Sequence, residues 1–116
     1  MKYMIREMIG ENCMTQYSGQ QLYEKIYPQL QAGQPVELDF AGAKRFLSVF
    51  FNYAIGQLLR DIEPQTFDRL LMVSNLTPVG QQAYDRVIEN AKRYYALDEE
   101  GQEAVNEIVL EQAALL

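Results

Sequence analysis

The spacing of apolar and polar positions changes character twice within the first forty residues. Tyr3 to Met8 reads as a first strand. From Ser18 the pattern turns helical: Leu22, Ile26 and Leu30 recur every fourth residue, with Tyr23 and Tyr27 beside them. Ser18-Gly19-Gln20-Gln21 fits the Ser-x-x-Gln capping box at its start. Pro28 falls inside the pattern and predicts a kink or an early stop, because proline lacks an N–H and its ring crowds the preceding turn. Gly33 suits the left-handed residue just past a helix end. Pro35 then opens Val36-Glu37-Leu38-Asp39-Phe40, whose strict alternation puts Val36, Leu38 and Phe40 on one face and Glu37 and Asp39 on the other. Such a strand belongs to a sheet with unequally covered faces.

After a short turn at Ala41-Gly42, the run from Phe46 to Leu59 has the length of a helix. Its Phe51, Ile55, Leu58, Ile62 spacing makes it apolar around most of its girth and so largely buried, with Ser48 as the natural N-cap. Leu70 to Val73 is a continuous apolar run, as expected of an interior strand. Thr77-Pro78 marks another helix start, a cap followed by proline at the first helical position. Val79, Ala83, Val87, Ala91 and Tyr95 follow at every fourth residue, and Asp98 is placed to cap a last helix. The order β-α-β-α-β-α-α demands crossover connections, which predicts the α/β class with a mainly parallel sheet. At 116 residues the chain makes one ordinary domain. The one soft boundary, at Leu97-Asp98, separates an α/β domain over residues 1–96 from a C-terminal helix over 97–116.

Composition narrows the chemistry. With 48% hydrophobic and 22% charged residues the chain has a globular balance. Histidine is absent and Cys13 is the single cysteine, which removes Ser-His-Asp triads, Cys-His pairs, disulfides, and histidine-based or multi-cysteine metal sites. No metal site and no cofactor is expected. Cys13 has no cation beside it in sequence and reads as a passive thiol. Glu37 and Asp39 would stand roughly 7 Å apart on one strand face, a pair of the kind that cleaves glycosides, yet an alternating strand yields such a pair without function. Tyr94 and Tyr95 end a helix, where tyrosines cover core edges more often than they stack on ligands. Without a convergent nucleophile and base, the expectation is a protein that is not an enzyme. Lys2, Arg6 and Glu7 interrupt the first ten residues too often for a signal-peptide core, and no stretch approaches the ~18 apolar residues of a membrane span. With a single unpaired cysteine, the expected location is the cytoplasm.

Charge is unevenly placed. The net charge is −6, from 10 basic and 16 acidic residues. All ten basic residues and ten of the acids lie between Lys2 and Arg93, so that stretch sums to zero. The six remaining acids follow Arg93, among them Glu99, Glu103, Glu107 and Glu111 at intervals of four. On a helix these form one stripe, and like charges at that spacing each cost roughly 0.2–0.5 kcal/mol. The stripe is either a solvated face or a docking strip for a basic surface. Direct nucleic-acid binding is disfavoured, because phosphates call for clustered Lys and Arg.

The segment from Asp39 to Ser48 carries the remaining signal. Asp39, Gly42, Lys44 and Arg45 gather around a strand-to-helix turn, a candidate anion or partner site if it is more than a solvated connection. Val36-Glu-Leu-Asp-Phe-Ala-Gly, followed by Ser48 opening a buried helix, resembles the STAS superfamily of anti-sigma factor antagonists and sulfate-transporter tails. More specifically it is similar to the STAS-like domains of uncharacterised bacterial and phage proteins. Val73-Ser-Asn-Leu76 and Val87-Ile-Glu-Asn-Ala-Lys-Arg-Tyr-Tyr95 extend the likeness over most of residues 1–96. The resemblance implies a non-enzymatic, protein-binding regulatory domain. Asp39 and Gly42 match the antagonists' first motif, and Ser48 falls at the serine that takes phosphate from a partner kinase. Ala41 replaces that motif's serine, while Leu47, Val49 and Phe50 replace the neighbours of the phosphoacceptor. The resemblance implies a kinase-like ATPase or other regulatory protein as partner; separately, an uncovered sheet edge would favour a second copy of the chain. The acidic stripe carries an alternative, a small phage-type inhibitor that occupies a nucleic-acid-binding surface as some anti-CRISPR proteins do.

Overall fold

The computed structural model describes residues 1–106. Its centre is a three-stranded parallel sheet of β1 (Lys2–Met4), β3 (Val36–Asp39) and β5 (Leu71–Ser74), with β3 in the middle. The register sets Met4 beside Asp39 and Asp39 beside Ser74. Two shorter strands, β2 (Asn12–Cys13) and β4 (Arg45–Phe46), form a parallel pair of their own. Of the two long helices, α2 (Gln16–Gln31) lies on the crossover to β3, and α5 (Pro78–Ala96) follows the last strand. The chain is thus a small α/β domain with a parallel sheet, as the element order requires.

Several elements begin or end elsewhere than the pattern predicts, each for a local reason. β1 stops at Met4 because its ladder partner stops at Asp39; Ile5–Met8 (α1) instead coil into one helical turn. That turn closes on Gly10, whose φ of +112° glycine alone adopts easily, through bonds from Ile9 and Gly10 N–H to the Ile5 carbonyl. The cap of α2 lies three residues before the expected Ser18. Thr15 is its N-cap, and its Oγ1 accepts from the Ser18 N–H at 3.1 Å. Pro28 neither stops nor truncates α2, which runs on to Gln31. Gly33 at φ +79° ends it, with Gly33 N–H to Leu30 and Gln34 N–H to Gln29 completing a Schellman closure.

The predicted helix over Phe46–Leu59 divides into β4, α3 (Ser48–Ala54) and a 3-10 segment (Gly56–Arg60). α4 (Pro64–Leu70), with proline at its first position, buries Phe67 and Leu70 before β5. Lys92 of α5 reaches back to the Asp68 carboxylate at 2.9 Å and ties α4 to α5. Residues 99–106 are helical, and Asp98 Oδ1 accepts from the Gly101 N–H at 2.8 Å, the cap its type predicts. The core holds Phe40, Phe46, Phe50 and Phe51, whose ring centroids lie 5.4–6.0 Å apart in their contacting pairs. Tyr84 of α5 meets Phe51 edge-on at 5.7 Å. Among the described residues, no helix is long and apolar enough to cross a membrane.

Candidate functional site

The carboxyl end of β3 is where buried charge meets the turn toward α3. Glu37 and Asp39 share a sheet face, as alternation requires, but in different settings. Glu37 is half-buried and accepts from Ser74 Oγ at 3.3 Å. Asp39 is only 5% exposed. Its Oδ1 accepts from Asn75 Nδ2 and from the Ala41 N–H, both at 2.9 Å, while Lys2 Nζ stands 3.4 Å from Oδ2. These donors, Asn75 first, hold the Asp39 carboxyl below its ordinary value against the opposing effect of burial. A carboxylate so engaged is a fixed acceptor that anchors the turn after β3.

Asn75 holds its position at φ +61°, the one non-glycine residue with positive φ among those described. Asparagine is among the side chains that accept this region most readily, and here the conformation aims its amide at Asp39. Gly42, at φ +85°, lies under the Arg6 side chain; a Cβ there would stand 2.5 Å from Arg6 Cδ. Arg6 and Lys44 both approach Glu11 Oε1, at 3.4 and 3.8 Å. Arg45 Nη1 donates to Asn12 Oδ1 at 3.3 Å. Of the four residues gathered at this turn by sequence, Asp39 therefore faces Asn75 and Lys2, while Lys44 and Arg45 turn to partners around β2. The structure does not focus the two cations and the Asp39 turn on one point.

Ser48 is exposed at the first position of α3. It is not the cap: Leu47 holds that position, and α3 has no side-chain cap. The residues on either side, Leu47 and Val49, are 47% and 36% exposed. Cys13 is fully buried, and loss of solvation pushes its thiol up to about 11. Glu99 and Glu103 are exposed on the helical stretch 99–106, whereas Glu107 and Glu111 lie outside the described residues. No group of three or more Cys, Asp or Glu among the described residues is arranged to hold a metal.

The model of the STAS-like domain of unknown function (DUF4325) matches residues 18–81, from the first turn of α2 to that of α5. The chain belongs to this family. The matched span holds β3, β4, α3 and β5, so the STAS-like part contains Asp39, Ser48 and Asn75 together. No curated protein and no solved structure matches the chain. Within this STAS-like turn, sequence reasoning passed over Asn75, Glu11 and Lys2. Asn75 left a signal, an asparagine between a strand and a Thr-Pro helix start, where a left-handed residue is common. Lys2 left none, since its partners Glu37 and Asp39 are 35 and 37 residues away, and the Glu11 contact with Lys44 spans 33 residues.

Proposed function

We propose that this STAS-like chain is a non-enzymatic regulatory domain that binds another protein through the start of α3, with Ser48 as its switch. A kinase-like ATPase would transfer the terminal phosphoryl group of ATP to the Ser48 hydroxyl, releasing ADP and the hydroxyl proton. The observation that carries this reading is the exposure of three consecutive residues, Leu47, Ser48 and Val49, with the serine hydroxyl not used as a cap. Two exposed apolar side chains supply contact area, and a phosphate on Ser48 would add a charge of about −1.5 to −2 beside them. Asp39 and Asn75 support the unit from behind by fixing the turn that leads into β4 and α3.

The test is capture of the partner from the native host by the tagged full chain, with phosphosite mapping of the bait. A specific protein retained by the wild type and lost on Leu47→Asp is expected, with phosphate at Ser48 and altered capture by Ser48→Asp. Capture that ignores Leu47→Asp refutes the surface. Unmodified Ser48, with capture unchanged in Ser48→Asp, refutes the switch alone. Binding that fades steeply with salt and with Glu99→Gln plus Glu103→Gln belongs instead to the acidic stripe and a basic partner.

A further inference from the structure

At the other end of α3 from Ser48, the 3-10 segment and α5 leave between them an open groove of about 670 Å³, closed on one side by Val105 and Asn106. That volume lies within the range of small-molecule sites. Among the described residues no Lys, Asp or Glu lines it, and the one charged side chain on its wall is Arg60. Tyr53 stands on the α3 side and Tyr94 and Tyr95 on the α5 side. Tyr94 and Tyr95 pair with each other at 5.0 Å, whereas Tyr53 has no ring partner among the described residues. The contacting aromatic pairs among the described residues close at 5.0–6.0 Å, and Tyr53 is in none of them. A slot between aromatic walls takes a flat ring.

Arg60 donates through Nε to Asp61 Oδ2 and through Nη2 to the Tyr23 hydroxyl, both at 3.3 Å. A guanidinium carries five donors, so one carboxylate and one phenol leave it able to take a further anion, and Nη1 has no partner among the described residues. Arg60 and Tyr95 line the groove together; burial raises the Tyr95 hydroxyl above its ordinary pKa, Arg60 opposes that rise and Asp61 adds to it. Asn52 and Asn90, both exposed at the rim, add amides that donate and accept.

We propose that this groove binds a small planar aromatic anion, its ring between Tyr53 and Tyr94 and its negative group on the free edge of Arg60. An aryl carboxylate and a nucleoside monophosphate share this chemistry. The site is independent of Ser48 and of protein capture.

The test is titration of the full chain, followed by amide-proton NMR, with 4-hydroxybenzoate and adenosine monophosphate in separate arms. Phenol supplies a ring without charge, and acetate and inorganic phosphate supply charge without a ring. Saturable shifts confined to Tyr53, Asn90, Tyr94 and their neighbours are expected in at least one ring-anion arm, and the tighter arm names the source. Arg60→Gln should weaken that arm about tenfold, the scale of one charge-assisted hydrogen bond, and leave phenol unchanged. Asn90→Ala, at an exposed position, serves as a second variant that preserves the fold and weakens binding less. Absence of saturable shifts in both arms overturns the proposal. So does equal affinity for phenol, or binding indifferent to Arg60→Gln.

Discussion

Asp39 joins sheet and turn through three donors, and its behaviour with pH follows from them. Because Asn75, Ala41 and Lys2 lower its folded pKa, the stability it lends is complete above the ordinary carboxylate value of about 3.9 and is lost as pH falls through the depressed one. Thermal melts on the acid side should show a loss in the wild type that is smaller in Asp39→Asn, which has no such charge to neutralise. Parallel curves for the two would refute the assignment. Asn75 separates strain from hydrogen bonding. Asn75→Ala loses the bond to Asp39 and leaves a Cβ residue at φ +61°, a conformation that costs roughly 1–2 kcal/mol. Asn75→Gly loses the same bond without the strain, so denaturant titration should find it the milder change.

At the scale of elements, two positions in α2 decide how it starts and how closely it packs. Thr15 caps it, and Thr15→Ala should cost about 1 kcal/mol in denaturant unfolding, within the range of N-cap losses. Gly19 faces α3, where a Cβ would meet the Phe50 carbonyl oxygen at 2.6 Å and Tyr53 Cβ at 3.1 Å. Helix propensity alone favours Gly19→Ala by about 1 kcal/mol, but backbone cannot give way as a side-chain tip does, so overpacking of roughly 1–3 kcal/mol should win. A stabilised Gly19→Ala protein would mean the two helices are not in contact there. These cases mark what sequence pattern reads and what it misses. Leu22, Ile26 and Leu30 reveal α2, yet Thr15 and Ser18 are both capping residue types, and only the backbone path selects Thr15. The Phe46–Leu59 run looks like one helix because burial is nearly continuous through it. Its break at Ile55 accompanies a close approach of α5, with a Cβ on Gly56 only 3.2 Å from Val87 Cγ1, and periodicity within the run carries no trace of that.

For the whole molecule, the three main strands and their parallel order are legible because crossover connections leave few alternatives. The family match, over residues 18–81, holds two of these strands, β3 and β5. Less legible is what the turns do with charge: Lys44 and Arg45 look free in sequence, and only the fold brings Glu11 and Asn12 beside them. Cys13 reports on the integrity of this assembly, because it sits in β2, fully buried, at the join between α2 and the β4–α3 segment. Its thiol is raised from 9.0 to about 11 by burial, so the folded state keeps a proton that the unfolded chain releases earlier. Stability from this group is therefore complete below the unfolded value and declines as pH rises from there through about 11. Cys13→Ala has no thiol to ionise, so its unfolding free energy should fall less steeply across that window than the wild type's. At neutral pH a thiol reagent can reach Cys13 only through opening of the fold, and its rate should rise with denaturant along the slope of global unfolding. Fast labelling insensitive to denaturant would show that β2 opens alone, and would detach the Leu47–Val49 surface from the rigid support that its binding role requires.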